Sequence, residues 1–242
     1  MKIILIVFLT LLTSFFVSSQ EEGKYDDLVI LFADAKYEKL IKTANKYSEK
    51  DANKKDVEPY LMMAKAYYKI SLSGTMDPEY KNSYKYALKY LAKAKKYDKD
   101  SSYYKEEQDF IVEFQESVEQ RMLNDLEAED FRKAAGWAQK YSKITHHPVG
   151  AQLLVASGKY RSGDKTGAKN ILAKCDHSIA QIDNLAFWSD SDVSFFKHGV
   201  IQAAECYVAA RQLEKAQQLL NTVKVWYLDD EEFNLRLEEI LN

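Results

Sequence analysis

The sequence predicts an all-α protein built as a string of helical hairpins. Three observations carry that expectation. The chain holds only 3 Pro and 8 Gly in 242 residues, too few breakers for many long loops or strand turns. Its aliphatic and aromatic residues recur at three- and four-residue steps, the spacing of one helix face. These apolar sets come in pairs separated by short turns, the pattern of antiparallel helix neighbours.

Residues 1–19 stand apart. Lys2 is the only charge before Glu21, an apolar run begins at Ile3, and Val17 and Ser19 place small residues ahead of Gln20. That is the build of a secretory signal peptide cleaved after Ser19. It predicts a periplasmic or secreted protein, with residues 20–242 forming a single helical repeat domain. The alternative, a retained anchor, has a run marginal against the roughly 20 apolar residues of a spanning helix. No cysteine sits near the cleavage point, which argues against a lipoprotein anchor. No later run is long enough to cross a bilayer, so no integral membrane segment is expected in the mature chain.

Five units and a cap follow in order. In 21–54, Leu28, Leu31 and Phe32 precede Tyr37, Leu40, Ala44 and Tyr47. In 57–100, Tyr60, Met63, Ala64 and Tyr67 precede Tyr84, Ala87, Leu88, Leu91 and Ala94. In 103–145, Phe110, Phe114, Val118, Met122 and Leu126 step by four, and Phe131, Ala134, Ala138 and Tyr141 form the partner helix. In 149–182, Val155, Ala156 and Tyr160 lead through a Gly163-Asp164 turn to Ala168, Leu172 and Cys175. In 197–230, Ala203, Ala204 and Tyr207 precede Leu213, Ala216, Leu219, Leu220 and Val223. Residues 231–242, with Phe233, Leu237, Ile240 and Leu241, read as a capping helix, which a terminal repeat needs.

The unit 197–230 resembles the tetratricopeptide repeat (TPR): a small residue mid-way along the first helix, an aromatic one turn later, a small residue early in the second. The other units follow it, with first helices of the first and third units departing most. The resemblance covers nearly all of 20–242. It implies a right-handed α-α superhelix of about five helical hairpins, a TPR-like solenoid, and a protein-binding scaffold rather than any one function. Such a scaffold uses its concave face. There the pattern puts Lys65, Tyr68 and Lys69, then Leu153, Ser157, Tyr160 and Arg161, then His198, Ile201 and Glu205, as candidate partner-binding residues. The Asn that accompanies lysines in the family's carboxylate clamp is missing from Glu58, Leu61, Lys65, Tyr68 and Lys69.

Two segments interrupt the units, 71–83 and 183–192, the latter carrying Phe187 and Trp188. Inserted loops in repeat arrays either sit at a binding face or pack on themselves. Charge is sorted along the chain. Residues 36–105 hold 17 Lys, no Arg and 9 acidic residues, whereas 106–135 hold 10 acidic and 3 basic ones. A basic block steers acidic partners; the lack of Arg argues against nucleic acid. Tyr60, Tyr67 and Tyr84 fall at core positions, and Tyr68, Tyr86 and Tyr90 off the core face.

Catalytic signatures are absent: no Gly-x-Ser-x-Gly, His-Glu-x-x-His, Cys-x-x-Cys or Gly-x-Gly-x-x-Gly occurs. The stretch from Gly158 to Asp164 places Asp where a phosphate loop needs Lys. His146-His147-Pro148 reads as a turn or a weak metal pair. Cys175 and Cys206 admit a disulfide, two buried thiols in small-residue slots, or a zinc tetrad with His177 and His198. No cofactor, no metal and no enzymatic activity are expected. The signal peptide, the repeat resemblance and the lack of a catalytic set together imply a non-catalytic adaptor of the periplasm or cell envelope, binding a protein of a secretion or envelope-assembly complex. The alternative is a carbohydrate- or peptidoglycan-binding module stacking sugars on Tyr68, Tyr86, Tyr90 and Trp188.

Overall fold

The computed structural model describes residues 23–241. The signal-peptide expectation for 1–19 lies outside them. The described residues are helical throughout, with no strand: α1 Asp26–Ala33, α2 Tyr37–Glu49, α3 Val57–Leu72, α4 Ser83–Tyr97, α5 Ser102–Glu106, α6 Gln108–Glu127, α7 Phe131–Tyr141, α8 Val149–Arg161, α9 Lys165–Ile179, α10 Asp190–Ala209, α11 Leu213–Val223 and α12 Glu231–Leu241. None of these helices is long and apolar enough to cross a membrane.

One turn recurs. In α1–α2, α6–α7, α8–α9 and α10–α11, a left-handed residue (Ala35, Glu129, Gly163 or Arg211) follows the first helix. The next residue then donates its N–H back five positions, Lys36 to Leu31, Asp130 to Asp125, Asp164 to Lys159 and Gln212 to Tyr207, at 2.8–2.9 Å. This is the Schellman closure, which satisfies carbonyls a helix end leaves open. The donating residue is also the N-cap of the second helix, and Asp130 and Asp164 reach forward to the N–H of Lys133 and Gly167. Four positions past each cap lies a buried residue: Leu40, Ala134, Ala168 and Ala216. Eight before it lies another, Leu28, Met122, Ala156 or Ala204. The α3–α4 hairpin alone lacks this closure. Its connection runs through Gly74 in the left-handed region and a turn at Pro78–Tyr80 that buries Tyr80.

Helices pack on their sequence neighbours, α2 on α3, α7 on α8, and α8 on both α9 and α10. Two apolar cores result. One gathers residues from Tyr25 to Ile144, the other residues from Val149 to Leu237. Helix α8 serves both, giving Ala151 and Leu154 to the first and Leu153 and Ala156 to the second. In α10, adjacent Phe195 and Phe196 divide the same way.

Glycine makes α8 a shared element. A Cβ on Gly150 would overlap the backbone of Phe196, one on Gly199 the carbonyl of Gly150, and one on Gly158 the side chain of Ala135. So α8 approaches α10 and α7 at backbone distance, which only residues without a side chain allow.

Two boundaries and one burial differ from the sequence reading. A short α5 precedes α6. The first helix of the fifth unit starts at Asp190, not 197, so residues 190–192 of the expected 183–192 loop are helical. The cause is the N-cap of Ser189, whose hydroxyl accepts the N–H of Asp192. Finally Tyr68 is buried (3 % exposed), packed on Phe114 at 4.6 Å and on Tyr84 and Phe110. The 20-residue α6 covers that side of α3, a tertiary contact that single-helix periodicity does not encode.

Candidate functional site

The residues expected on a concave face divide into three groups. Tyr68, Leu153, Ser157 and Ile201 are buried and belong to the helix interfaces. Ser157 closes its hydroxyl on the Leu153 carbonyl of its own helix. Lys65, Lys69, Arg161 and Glu205 are engaged in ion pairs. Lys65 lies 2.8 Å from Glu107 and over the ring of Phe32, and Lys69 is 4.0 Å from Glu113. Arg161 stacks on Phe131 and pairs with Glu205 at 2.7 Å, and Glu205 also pairs with Arg236 of α12. Only Tyr160 and His198 remain half-buried without such partners. These contacts knit α3 to α6 and α7–α8 to α10 and α12. They serve as interface residues of the fold, with Arg161 and Lys69 still reaching solvent at its edge.

Cys175 and Cys206 are free, buried thiols. Cys175 lies against the Val149 carbonyl and Cys206 against that of Ser157, eight residues along α8. At 1.5 Å rise per residue those anchors are about 12 Å apart, and α8 stands between α9 and α10. A disulfide, which needs Cα atoms within about 7 Å, does not form. Burial pushes the Cys175 thiol up to about 12 and raises that of Cys206, so both stay protonated. The tetrad with His177 and His198 does not assemble: among the described residues no group of three or more His, Cys, Asp or Glu could hold a metal ion.

What remains open is a groove of about 620 Å³ between α5–α6 and the segment from Phe187 to Asp192. Its walls are held by buried polar contacts. Asp192 (4 % exposed) accepts hydrogen bonds from Tyr141 at 2.8 Å and from the Thr145 hydroxyl. Ser191 donates to Glu119 of α6 at 2.7 Å. On the opposite wall the Tyr104 hydroxyl donates to the Ile144 carbonyl at 2.8 Å. His146 meets the Tyr104 ring edge-on, and its burial lowers its affinity for a proton. Trp188 stacks on His147 at 4.5 Å and tilts against Phe196. Phe187, its neighbour, is 91 % exposed at the rim. Val112, Gln108 and Lys105 of the α5–α6 wall face the same space.

Of the sequence expectations for this region, Phe187, Trp188 and the histidine turn meet in one place. The anchors Asp192 and Tyr104 were missed. Ser189-x-x-Asp192 is a helix-start pattern in plain view, and it would have set the end of the linker. Tyr104 carries no such signal.

No protein-family model, no characterised protein and no solved structure matches the chain.

Proposed function

We propose that the chain is an exported, non-catalytic adaptor on a tetratricopeptide-like right-handed solenoid, holding a protein partner in the groove beside α6. Four identical hairpin closures support the repeat reading, and the caps Asp130 and Asp164 are 34 positions apart, the tetratricopeptide period. The observation that carries the binding reading is Phe187. A large aromatic ring set in water at the groove rim, next in sequence to Trp188, is ready to bury in a partner, and aromatic residues of this kind dominate interface energies. Placement in the periplasm or cell envelope rests on the signal-peptide reading of residues 1–19, and a secretion or assembly complex is the setting proposed for it.

Crosslinking and pull-down from the native cell envelope test this reading. One protein recovered in stoichiometric amount, and lost with Phe187→Ala while the thermal midpoint stays within about 2 °C, is the expected result. Recovery of the chain alone, or with glycan fragments, would contradict it. The carbohydrate reading lacks a common surface: Tyr68 is buried, Trp188 has a face on His147, and Tyr86 and Tyr90 stack with Tyr67 on another side of α3.

A further inference from the structure

A second groove, of about 580 Å³, lies between α9, the end of α10 and the start of α11. Nothing in the adaptor reading uses it. Its floor is apolar: Ala168, Leu172 and Tyr207 are buried there. Its rim carries four cations, Lys165, Lys169, Arg211 and Lys215, against the single carboxylate of Asp176. None of the four cations forms an ion pair among the described residues.

The cations are also placed. Arg211 occupies the left-handed position of the α10–α11 turn, fixed by the N–H bonds of Arg211 to Val208 and of Gln212 to Tyr207, both 2.8 Å. Lys165 lies 5.6 Å from the Tyr160 ring centre and Lys215 5.8 Å from that of Tyr207, geometry that holds an ammonium over an aromatic face. Uncompensated like charge around an apolar trough is unfavourable until an anion arrives, and it attracts one through solvent.

We infer that this groove is a docking site for an acidic protein segment that sets an apolar side chain on the Leu172–Tyr207 floor between carboxylates paired to Lys165, Lys169, Arg211 and Lys215. The concave, apolar floor favours a peptide over a membrane surface, which would meet a protruding face. The chain's own acidic C-terminal helix does not supply the occupant, since Glu232 pairs with Lys197 and Glu239 with Arg236.

A displayed library of random dodecapeptides, selected on residues 20–242, tests the inference whatever protein carries the segment. Enrichment of sequences with three or more acidic residues flanking an apolar one is expected. Their affinity should fall about tenfold or more with Lys169→Glu/Lys215→Glu, two exposed positions, and should weaken between roughly 0.05 and 0.5 M salt on the unaltered protein as screening shortens to a few Å. Enrichment of neutral or basic sequences, enrichment of none, or affinity indifferent to both charge reversal and salt would overturn it. So would charge-dependent co-sedimentation with phosphatidylglycerol vesicles in the absence of any acidic peptide, which would make the groove a lipid contact.

Discussion

The α8–α10 crossing and the α3–α4 hairpin are both buried helix contacts, the first between parallel and the second between antiparallel helices, and they are made in opposite ways. At the first, Gly150 and Gly199 bring backbone against backbone. At the second, tyrosine rings line the seam: Tyr67 stacks on Tyr90 at 5.6 Å and Tyr60 packs on Tyr97 at 5.5 Å, with Lys93 over the rings of Tyr60 and Tyr90. The glycine contact leaves no space for one added carbon. The ring contact is half solvated and tolerates change at its edges. The glycine crossing also coincides with regular turns, and the ring-lined hairpin with the inserted connection. Added volume is thus excluded where α8 joins its two cores and has room at the ring edges of the N-terminal half.

The largest effect should come from breaking the tight crossing. Gly150→Ala gains helix propensity but drives a methyl into the Phe196 backbone. Overpacking of this kind costs about 1–3 kcal/mol, more where backbone must move, so a loss of about 3 kcal/mol in urea unfolding is expected. Next is the anchor of the same region. Asp192→Ala strands the Tyr141 and Thr145 hydroxyls in the core, a loss of about 2–3 kcal/mol at neutral pH. It should also loosen the groove, seen as faster hydrogen exchange over residues 186–194.

The pH response separates the two regions further, because all four histidines lie beyond α7. Burial lowers the proton affinity of His146 and of His198. Around His198, Lys197 acts in the same direction and Glu232, Glu119 and Asp230 oppose it. A histidine with depressed affinity when folded binds fewer protons than the unfolded chain. Its contribution is therefore complete above the unfolded value of about 6.5 and is lost as pH falls below it. Stability should decline from about pH 6.5 to about pH 5, before the carboxylates titrate, and the decline should shrink in His198→Phe. The smallest effect belongs to the ring contact. The Tyr67 ring stacks on Tyr90 and tilts against Tyr86, and its burial pushes the phenol up to about 12. Tyr67→Phe should change stability by less than about 0.5 kcal/mol by thermal unfolding.

Much of the fold was legible in the sequence because hairpins write themselves locally. Ala168, Leu172 and Cys175 of α9, and Ala216, Leu219, Leu220 and Val223 of α11, are buried as their spacing implied. The site was less legible. Tyr68, Leu153 and Ile201 sit on helix faces that periodicity leaves open and that other helices then cover. Gly150 and Gly199 carry no periodic signal, because their lack of a side chain is the contact itself. Phe187 and Trp188 stood out by type, but only the fold distinguishes the ring that fills a gap from the ring that projects.

The central claim is that the groove beside α6, marked by Phe187, is where a partner protein sits. A photoreactive phenylalanine analogue incorporated at position 187, and separately at Met76, tests it in the native envelope. Met76 is equally exposed, at 94 %, and lies in the other inserted loop. A discrete protein adduct from position 187 and none of the same mass from position 76 is the predicted result. No adduct at 187, or the same adducts from both positions, would contradict the account.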